Sequence, residues 1–222
     1  MSSGSSSTPS STSSDSPRPR RVSGLTWIIA FLFLTALCVA AVQFQQSRPR
    51  ESQLDHNGPA PEFTFTAQDG SKVSTADLKG KVWVANFIFT RCAGPCPVMT
   101  SRMAEINDAI KAKGAEVALV SMTVDPDYDS PEILKSYGEK VGATPDKWKF
   151  LTGPKDQIAS VSRGFLQALS SEPSGTPIHS TRFIVVDRDG QMRSFRDGAD
   201  PEAVQQLLVD IGDLLREPKK GQ

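Results

Sequence analysis

The amino-acid sequence predicts an α/β domain in which helices cover both faces of one mixed sheet. Three observations support this fold class. Apolar runs of strand length alternate with segments of helical periodicity through residues 62–216. The run at 82–89, VWVANFIF, is almost continuously apolar, as expected of a strand buried on both faces. A final β-hairpin and helix add antiparallel strands to the parallel ones, so we expect a mixed sheet.

The chain of 222 residues is long enough for one ordinary domain with appendages. Residues 1–24 are rich in Ser, Thr, Gly and Pro, which predicts a disordered cytoplasmic tail. Residues 25–42 carry no charge and as a helix would measure about 27 Å, so they predict a single transmembrane helix. A linker at 43–61 then precedes the predicted domain, and a polar tail at 217–222 follows it.

The apolar run at 25–42 also predicts where the domain lies. Three arginines precede it and two follow it, which favours a cytoplasmic N-terminus. A cleaved signal peptide is the competing interpretation, because Val39-Ala40-Ala41 offers small residues at a cleavage site. Both interpretations place the domain outside the cytoplasm, in the periplasm or an equivalent compartment. Cys38 lies within the run, where we expect a small membrane-facing hydrophobe.

The first half of the domain predicts a hairpin followed by two strands that flank a helix. The hairpin turns at Asp69-Gly70. Gly114 ends the helix, and its face of Met99, Met103, Ile106 and Ile110 predicts core packing. The predicted elements are a hairpin at 62–72, a strand at 82–89, a helix at 97–113 and a strand at 117–124.

The second half predicts further helices and strands in alternation, then the closing hairpin and helix. Asp187-Arg188-Asp189-Gly190 supplies the turn of that hairpin. The predicted elements are a helix at 131–141, a strand at 148–151, a helix at 156–169, a hairpin formed by 181–186 and 192–195, and a helix at 201–215.

Charge excludes one class of partner. Acidic and basic residues balance at 25 each, and no long basic run is present. Nucleic-acid binders carry a basic face that neutralises phosphates. We therefore expect no nucleic acid among the partners.

Cys92 and Cys96 lie in a short segment between a predicted buried strand and a predicted helix. The helix is expected to begin at Pro97, which places both sulfurs near its positive end and beside Arg91. These surroundings favour thiolates, which bind soft metals and attack disulfides. A structural disulfide or a pair of inert buried thiols is the alternative, and a redox pair is the catalytic interpretation.

His179 is the candidate third ligand. It precedes the predicted strand at 181–186, whereas His56 lies in the polar linker, where a solvated side chain is expected. Two thiolates and one imidazole suit Cu(I), and hold Cu(II) if another donor joins. Asp125 and Asp129 could lie near as further donors, but turn formation and capping of the helix at 131 are the preferred explanation of both residues.

Several ordered motifs resemble the Sco/SenC family of copper metallochaperones, which help to build the copper centre of cytochrome c oxidase. The resemblance covers residues 61–215. Its motifs are Cys92-Ala93-Gly94-Pro95-Cys96-Pro97 after Phe87-Ile88-Phe89-Thr90, Val124-Asp125-Pro126 with Asp129 and Pro131, Trp148-Lys149-Phe150-Leu151-Thr152-Gly153, and His179-Ser180 before Phe183-Ile184-Val185-Val186-Asp187.

The resemblance implies a thioredoxin-like fold, an N-terminal membrane anchor, and copper bound by Cys92, Cys96 and His179. It implies a metallochaperone rather than a conventional enzyme, with the copper-bearing subunit of cytochrome c oxidase as its partner. Two alternatives stay open. The first is a thiol-disulfide oxidoreductase that keeps oxidase cysteines reduced and is itself served by a thioredoxin-like reductant. The second is a sensor of copper or redox state.

Overall fold

The computed structural model describes residues 31–40, 54–167 and 181–218. The chain divides into two units, Met1–Arg48 and Pro49–Gln222. In the first, residues 31–40 form helix α1, and its side chains are exposed. The tail at 1–24, most of the linker at 43–61 and the rest of the run at 25–42 lie outside the described residues. Among the helices in the described ranges, none is both long enough and apolar enough to cross a membrane.

The second unit is built on one mixed sheet, which in the described ranges has seven strands in the order β2-β1-β5-β4-β3-β6-β7. β3, β4 and β5 are parallel, whereas β1 and β2 at one side and β6 and β7 at the other are added antiparallel. The strands are β1 (Thr64–Ala67), β2 (Lys72–Ser74), β3 (Val82–Ile88), β4 (Val117–Thr123), β5 (Trp148–Thr152), β6 (Arg182–Val186) and β7 (Met192–Asp197).

Four α-helices accompany this sheet in the described ranges: α2 (Cys96–Lys113), α3 (Pro131–Lys140), α4 (Lys155–Gln167) and α5 (Ala203–Arg216). Gly114 ends α2 with a φ of +59°, a left-handed conformation that favours glycine. A short 3-10 helix, Thr75–Leu78, was not predicted from the sequence. Its only buried side chain is Leu78, so it leaves no periodic apolar signal.

Two apolar layers cover the two faces of the sheet. Ile158, Val161 and Phe165 of α4 pack on one face together with Phe65 of β1. The buried side chains of α2, α3 and α5 pack on the other face, including the predicted stripe of Met99, Met103, Ile106 and Ile110. All seven residues of β3 are buried because β3 lies inside the sheet with a layer on each side. The predicted mixed sheet with helices on both faces is confirmed.

Two local predictions are wrong. α2 begins at Cys96 rather than Pro97, with Pro95 as its N-cap residue. Neither Asp125 nor Asp129 caps α3. Ser130 is the cap instead, and its hydroxyl accepts the N–H of Ile133 at 3.4 Å. Proline at the first position of α3 agrees with the usual preference for proline there.

Candidate functional site

The two neighbouring cysteines belong to the loop between β3 and α2 and to the first turn of α2. β3 ends at Ile88, and the N–H of Cys92 donates to the carbonyl oxygen of Phe89 at 3.2 Å. Cys96 is the first residue of α2. Because β3, β4 and β5 run parallel, their C-terminal ends meet at one edge of the sheet. The cysteine segment therefore lies at the edge where α/β proteins place their functional loops.

The two thiols differ in their exposure. Cys92 is partly exposed, whereas Cys96 is only 6% exposed. Both are free thiols, so the structural disulfide considered as an alternative is not formed in this structure. A pair of inert, fully buried thiols does not describe them either, since solvent reaches Cys92.

The surroundings shift the acidity of the two thiols in opposite directions. Burial raises the pKa of Cys92, but hydrogen bonds from the Cys96 side chain and from the backbone of Cys96 and Gly94 outweigh it, so the net pKa is lowered. Burial, together with the hydrogen bond to Cys92, raises the pKa of Cys96 to about 11. Cys92 is thus the thiol of the pair that ionises more readily, and its thiolate would accept a hydrogen bond from the thiol of Cys96.

The sequence predicts thiolate character at both sulfurs, and for Cys96 this prediction is wrong. Cys96 lies within the first turn of α2 with its side chain buried, and removal from water favours its neutral form. Arg91, expected to add positive charge beside the sulfurs, bonds Asp125 instead. Such a pair offers one nucleophile and one protonated partner.

The loop that follows β4 supports the start of the cysteine segment. The carboxylate of Asp129 accepts the N–H of Thr90 at 3.1 Å and the hydroxyls of Thr90 and Thr123. The guanidinium of Arg91 bonds Asp125 and lies 4.1 Å from the ring centre of Tyr128. Two consecutive residues just before Cys92 are therefore held by one loop.

These contacts bear on the question of additional metal ligands. Within residues 54–167 and 181–218, no three side chains of His, Cys, Asp or Glu come together as a group that could hold a metal ion. Asp125 is engaged by Arg91, and Asp129 by Thr90 and Thr123. The described carboxylates therefore do not complete a site with the two thiols.

A groove of about 380 Å³ borders Cys92. Its wall includes Tyr137, whose hydroxyl lies 2.9 Å from that of Thr100, and the apolar side chains of Pro97, Ala104 and Val141. Cys92 thus has an open space beside it in which an incoming group can approach its sulfur.

His179, the predicted third ligand, lies outside the described residues, and His56 is exposed as expected. Strand pairing locates the described residues that follow His179. β6 is antiparallel to β3, with Ile184 opposite Ala85. Continuing this register brings Thr181 to the edge of the sheet at which β3 ends and the cysteine segment begins.

Thr181 is attached to that edge by further contacts. Its carbonyl oxygen accepts the N–H of Gly198, and its hydroxyl donates to Asp197 at 2.7 Å. Arg102 of α2 donates to the carbonyl oxygens of Gly198 and Asp200. The loop between β7 and α5 thereby connects Thr181 with the helix that begins at Cys96.

Sequence reasoning missed two supporting interactions: the hydrogen bonds of Arg102 and the pairing of Thr90 with Asp129. Asp129 was noted only as a turn, capping or ligand residue, and its threonine partners lie on two other parts of the chain. Arg102 lies on the predicted α2 helix without any motif of its own, and its partners are backbone carbonyls. No pattern in a single sequence predicts either contact.

A mixed sheet with a cysteine pair where a parallel strand meets a helix defines a thioredoxin-like protein with a dithiol site. Residues 51–213 match the SCO1/SenC family, and the chain belongs to this family. It is 33% identical to the SCO1 protein homolog of Bacillus subtilis over 193 residues. This aligned region covers 86% of this chain and 95% of that protein.

Two further proteins extend the comparison. A Stutzerimonas stutzeri protein named for copper binding is 30% identical over 174 residues, covering 76% of this chain and 81% of its own length. Among solved structures, BsSco matches with a TM-score of 0.64 at 31% identity, covering 75% of this chain and 98% of that chain. BsSco is described as a member of the Sco family of cytochrome c oxidase assembly proteins with a disulfide switch.

Proposed function

We propose that this protein is a membrane-tethered metallochaperone that binds copper through Cys92, Cys96 and His179 and delivers it to assembling cytochrome c oxidase outside the cytoplasm. One observation carries the proposal. Two hydrogen-bonded free thiols lie at the edge of the sheet to which the β3–β6 register also brings Thr181, two residues after His179.

The donor set suits the metal. Two sulfur ligands and one imidazole form the soft, low-coordinate set that Cu(I) accepts, whereas a structural zinc site needs four fixed ligands. The described residues supply no carboxylate to such a site. Each bound cysteine gives up its thiol proton when it becomes a ligand.

The relatives support both copper as the metal and cytochrome c oxidase as the recipient. The Stutzerimonas relative is named for copper binding, and BsSco belongs to a family of oxidase assembly proteins. The partly exposed Cys92 and the groove beside it give a recipient's ligands a route to the ion. The expected recipient is the copper-bearing subunit of the oxidase.

The anchor is proposed from residues 25–42. This segment is free of charge and has about the length that a bilayer requires of a helix. The excess of arginine before it supports a cytoplasmic tail at 1–24 and an exported domain at 62–216.

A second function, thiol-disulfide exchange, is favoured by the unequal thiols. The exposed thiolate of Cys92 would attack one sulfur of a partner's disulfide and release the other as a thiol, leaving a mixed disulfide. Cys96 would then displace the partner's remaining sulfur, so the partner gains two electrons and two protons as Cys92 and Cys96 become a disulfide. A thioredoxin-like dithiol would restore the pair. A sensor of copper or redox state is the third possibility.

Titration of the reduced protein with Cu(I) against a competing chelator tests the main proposal. We expect one tight site, loss of that site in Cys92→Ala, and an affinity about 100-fold lower in His179→Ala, which corresponds to about 2.7 kcal/mol. His56→Ala is the matched control, because His56 is exposed in the linker. Equal affinity of the wild type and His179→Ala would remove the three-ligand site.

The alternatives are separated by what happens after binding. An oxidoreductase would reduce an oxidised peptide from the oxidase subunit without metal and would keep this activity in His179→Ala. A metallochaperone would transfer Cu(I) to the metal-free oxidase fragment, and a sensor would retain it.

A further inference from the structure

Asp129 is a fully buried carboxylate close to the cysteine segment in the fold. It is 0% exposed and lies in the loop between β4 and α3. The N–H of Thr90 donates to Asp129 Oδ2 at 3.1 Å, the hydroxyl of Thr90 donates to Oδ1, and the hydroxyl of Thr123 donates to Oδ2. Thr123 ends β4, and Thr90 follows β3. The carboxylate therefore connects the ends of two neighbouring parallel strands.

Burial makes these hydrogen bonds energetically important. A buried carboxylate is costly unless several donors replace the water that it loses. Hydrogen bonds to a carboxylate are short and roughly twice as strong as those between neutral groups. Two of the three donors described for Asp129 come from Thr90, two residues before Cys92. The stability of the carboxylate and the position of the cysteine segment therefore depend on each other.

A second contact restricts the same segment. The guanidinium of Arg91 bonds Asp125 and stacks over Tyr128. The backbone of this loop is itself closed by hydrogen bonds from the N–H groups of Tyr128 and Asp129 to the carbonyl oxygen of Asp125, at 3.1 and 2.9 Å. Arg91 is half exposed, and exposed ion pairs contribute little to stability. The buried contact of Asp129 is therefore the stronger constraint.

We propose that Asp129 is a positioning residue that, through Thr90, fixes the start of the cysteine segment and so holds the sulfur of Cys92 against that of Cys96. For copper this inference rests on the proposed function, whereas the contact between the two sulfurs is independent of any metal.

The contact has a measurable redox consequence. In the exchange with oxidised glutathione, the two thiols and one glutathione disulfide give the Cys92–Cys96 disulfide and two molecules of reduced glutathione. Thiols that are already held together close this bond at a smaller entropic cost. Loosening the segment therefore lowers the equilibrium constant for disulfide formation and makes the reduction potential less negative.

The test measures this equilibrium constant in glutathione buffers for the full protein and its variants. We expect Thr90→Val, which removes one hydroxyl without changing the shape of the side chain, to lower it about tenfold, equal to about 30 mV. Asp129→Ala should lower it at least as much. Thr90→Ser keeps the hydroxyl and should restore the wild-type value.

Asp210→Ala is the matched control. Asp210 is also a buried carboxylate, but it bonds Ser194 and Arg196, away from the cysteine segment in sequence and in contacts. Its loss should reduce thermal stability without changing the disulfide equilibrium. An unchanged equilibrium in a folded Thr90→Val protein would overturn the proposal, as would an equal change in Asp210→Ala.

A Cu(I) titration of the same variants separates this inference from the proposed function. If His179→Ala weakens copper binding and Thr90→Val does not, Asp129 has no positioning role toward copper and the proposed function stands. If the wild type binds no copper, the proposed function fails, and the glutathione equilibrium still decides the role of Asp129.

Discussion

The N–H of Gly198 donates a 2.6 Å hydrogen bond to the carbonyl oxygen of Thr181. This contact joins the loop after β7 to the residue just before β6. It leaves no room for a side chain at Gly198. A Cβ atom there would overlap Met99 Sδ and lie 2.8 Å from the oxygen of Thr181. Thr181 follows His179 by two residues, so the contact also fixes the described end of the segment that carries the proposed third ligand.

Gly198→Ala should therefore destabilise the protein. The methionine side chain can move, but the carbonyl of Thr181 belongs to the backbone, so we expect a loss of about 1–3 kcal/mol in the free energy of unfolding. Urea unfolding measures it. The control is Gly212→Ala in α5, where the nearest atom to a new Cβ is 3.7 Å away and alanine favours the helix. Equal stability of the wild type and Gly198→Ala would contradict the prediction.

Alkylation should distinguish the two cysteines. Cys92 is partly exposed and has a lowered pKa, whereas burial raises the pKa of Cys96 to about 11. Since the thiolate is the reacting species, iodoacetamide at neutral pH should modify Cys92 first. Peptide mass spectrometry after short exposure identifies the site. Equal labelling of both cysteines in the folded protein would show that the described asymmetry is wrong.

Arg193 should be important for stability. Its guanidinium is 2% exposed and bonds Asp187 at 2.9 Å and Glu217 at 3.2 Å. Replacing one partner of a buried pair leaves the other charge uncompensated, so Arg193→Met should cost about 3–5 kcal/mol. Arg216→Met is the matched control, because the pair of Arg216 with Asp213 is largely exposed and should contribute less than about 1 kcal/mol. Thermal unfolding of both variants checks the difference, and similar losses would refute it.

Asp197 should make stability depend on pH in the acidic range. The hydrogen bond from the N–H of Ala199 lowers the pKa of Asp197 most, and that from the hydroxyl of Thr181 lowers it further. The positive charges of Arg182 and Arg102 act in the same direction. A carboxyl whose pKa is lower in the folded than in the unfolded state stabilises the protein fully above about pH 4. That contribution is lost as the pH falls through the folded-state pKa.

Asp197→Asn keeps an oxygen acceptor but removes the charge. The variant should lose more stability at pH 6 than at pH 3, as measured by urea unfolding at both values. The same loss at both values would mean that the charge of Asp197 has no role.

The central strands β3 and β4 were predictable because burial on both faces gives a nearly continuous apolar run. The run predicted at 82–89 is observed as Val82–Ile88, and that predicted at 117–124 as Val117–Thr123. The start of α2 was misplaced by one residue, since a proline suits the first turn of a helix whether it lies at the first or the second position. Periodicity thus predicted the elements better than their ends.

The site was predictable only where it is local in sequence. Three residues separate Cys92 from Cys96, so their proximity follows from spacing alone. The contact of Asp129 with Thr90 depends on two strands lying side by side, and the burial of Cys96 depends on the layer that α2 joins. These are consequences of tertiary packing, which a single sequence does not display.

The antiparallel pairing of β6 with β3 distinguishes the two proposed sulfur ligands from the proposed imidazole ligand. Cys92 and Cys96 are close in sequence, whereas Thr181, two residues after the proposed imidazole ligand, reaches their edge of the sheet only when β6 pairs with β3. A denatured or newly synthesised chain would therefore bind copper through the two sulfurs alone and would lose it readily to competing chelators. Under the proposed function, only completely folded chains would then retain copper long enough to deliver it.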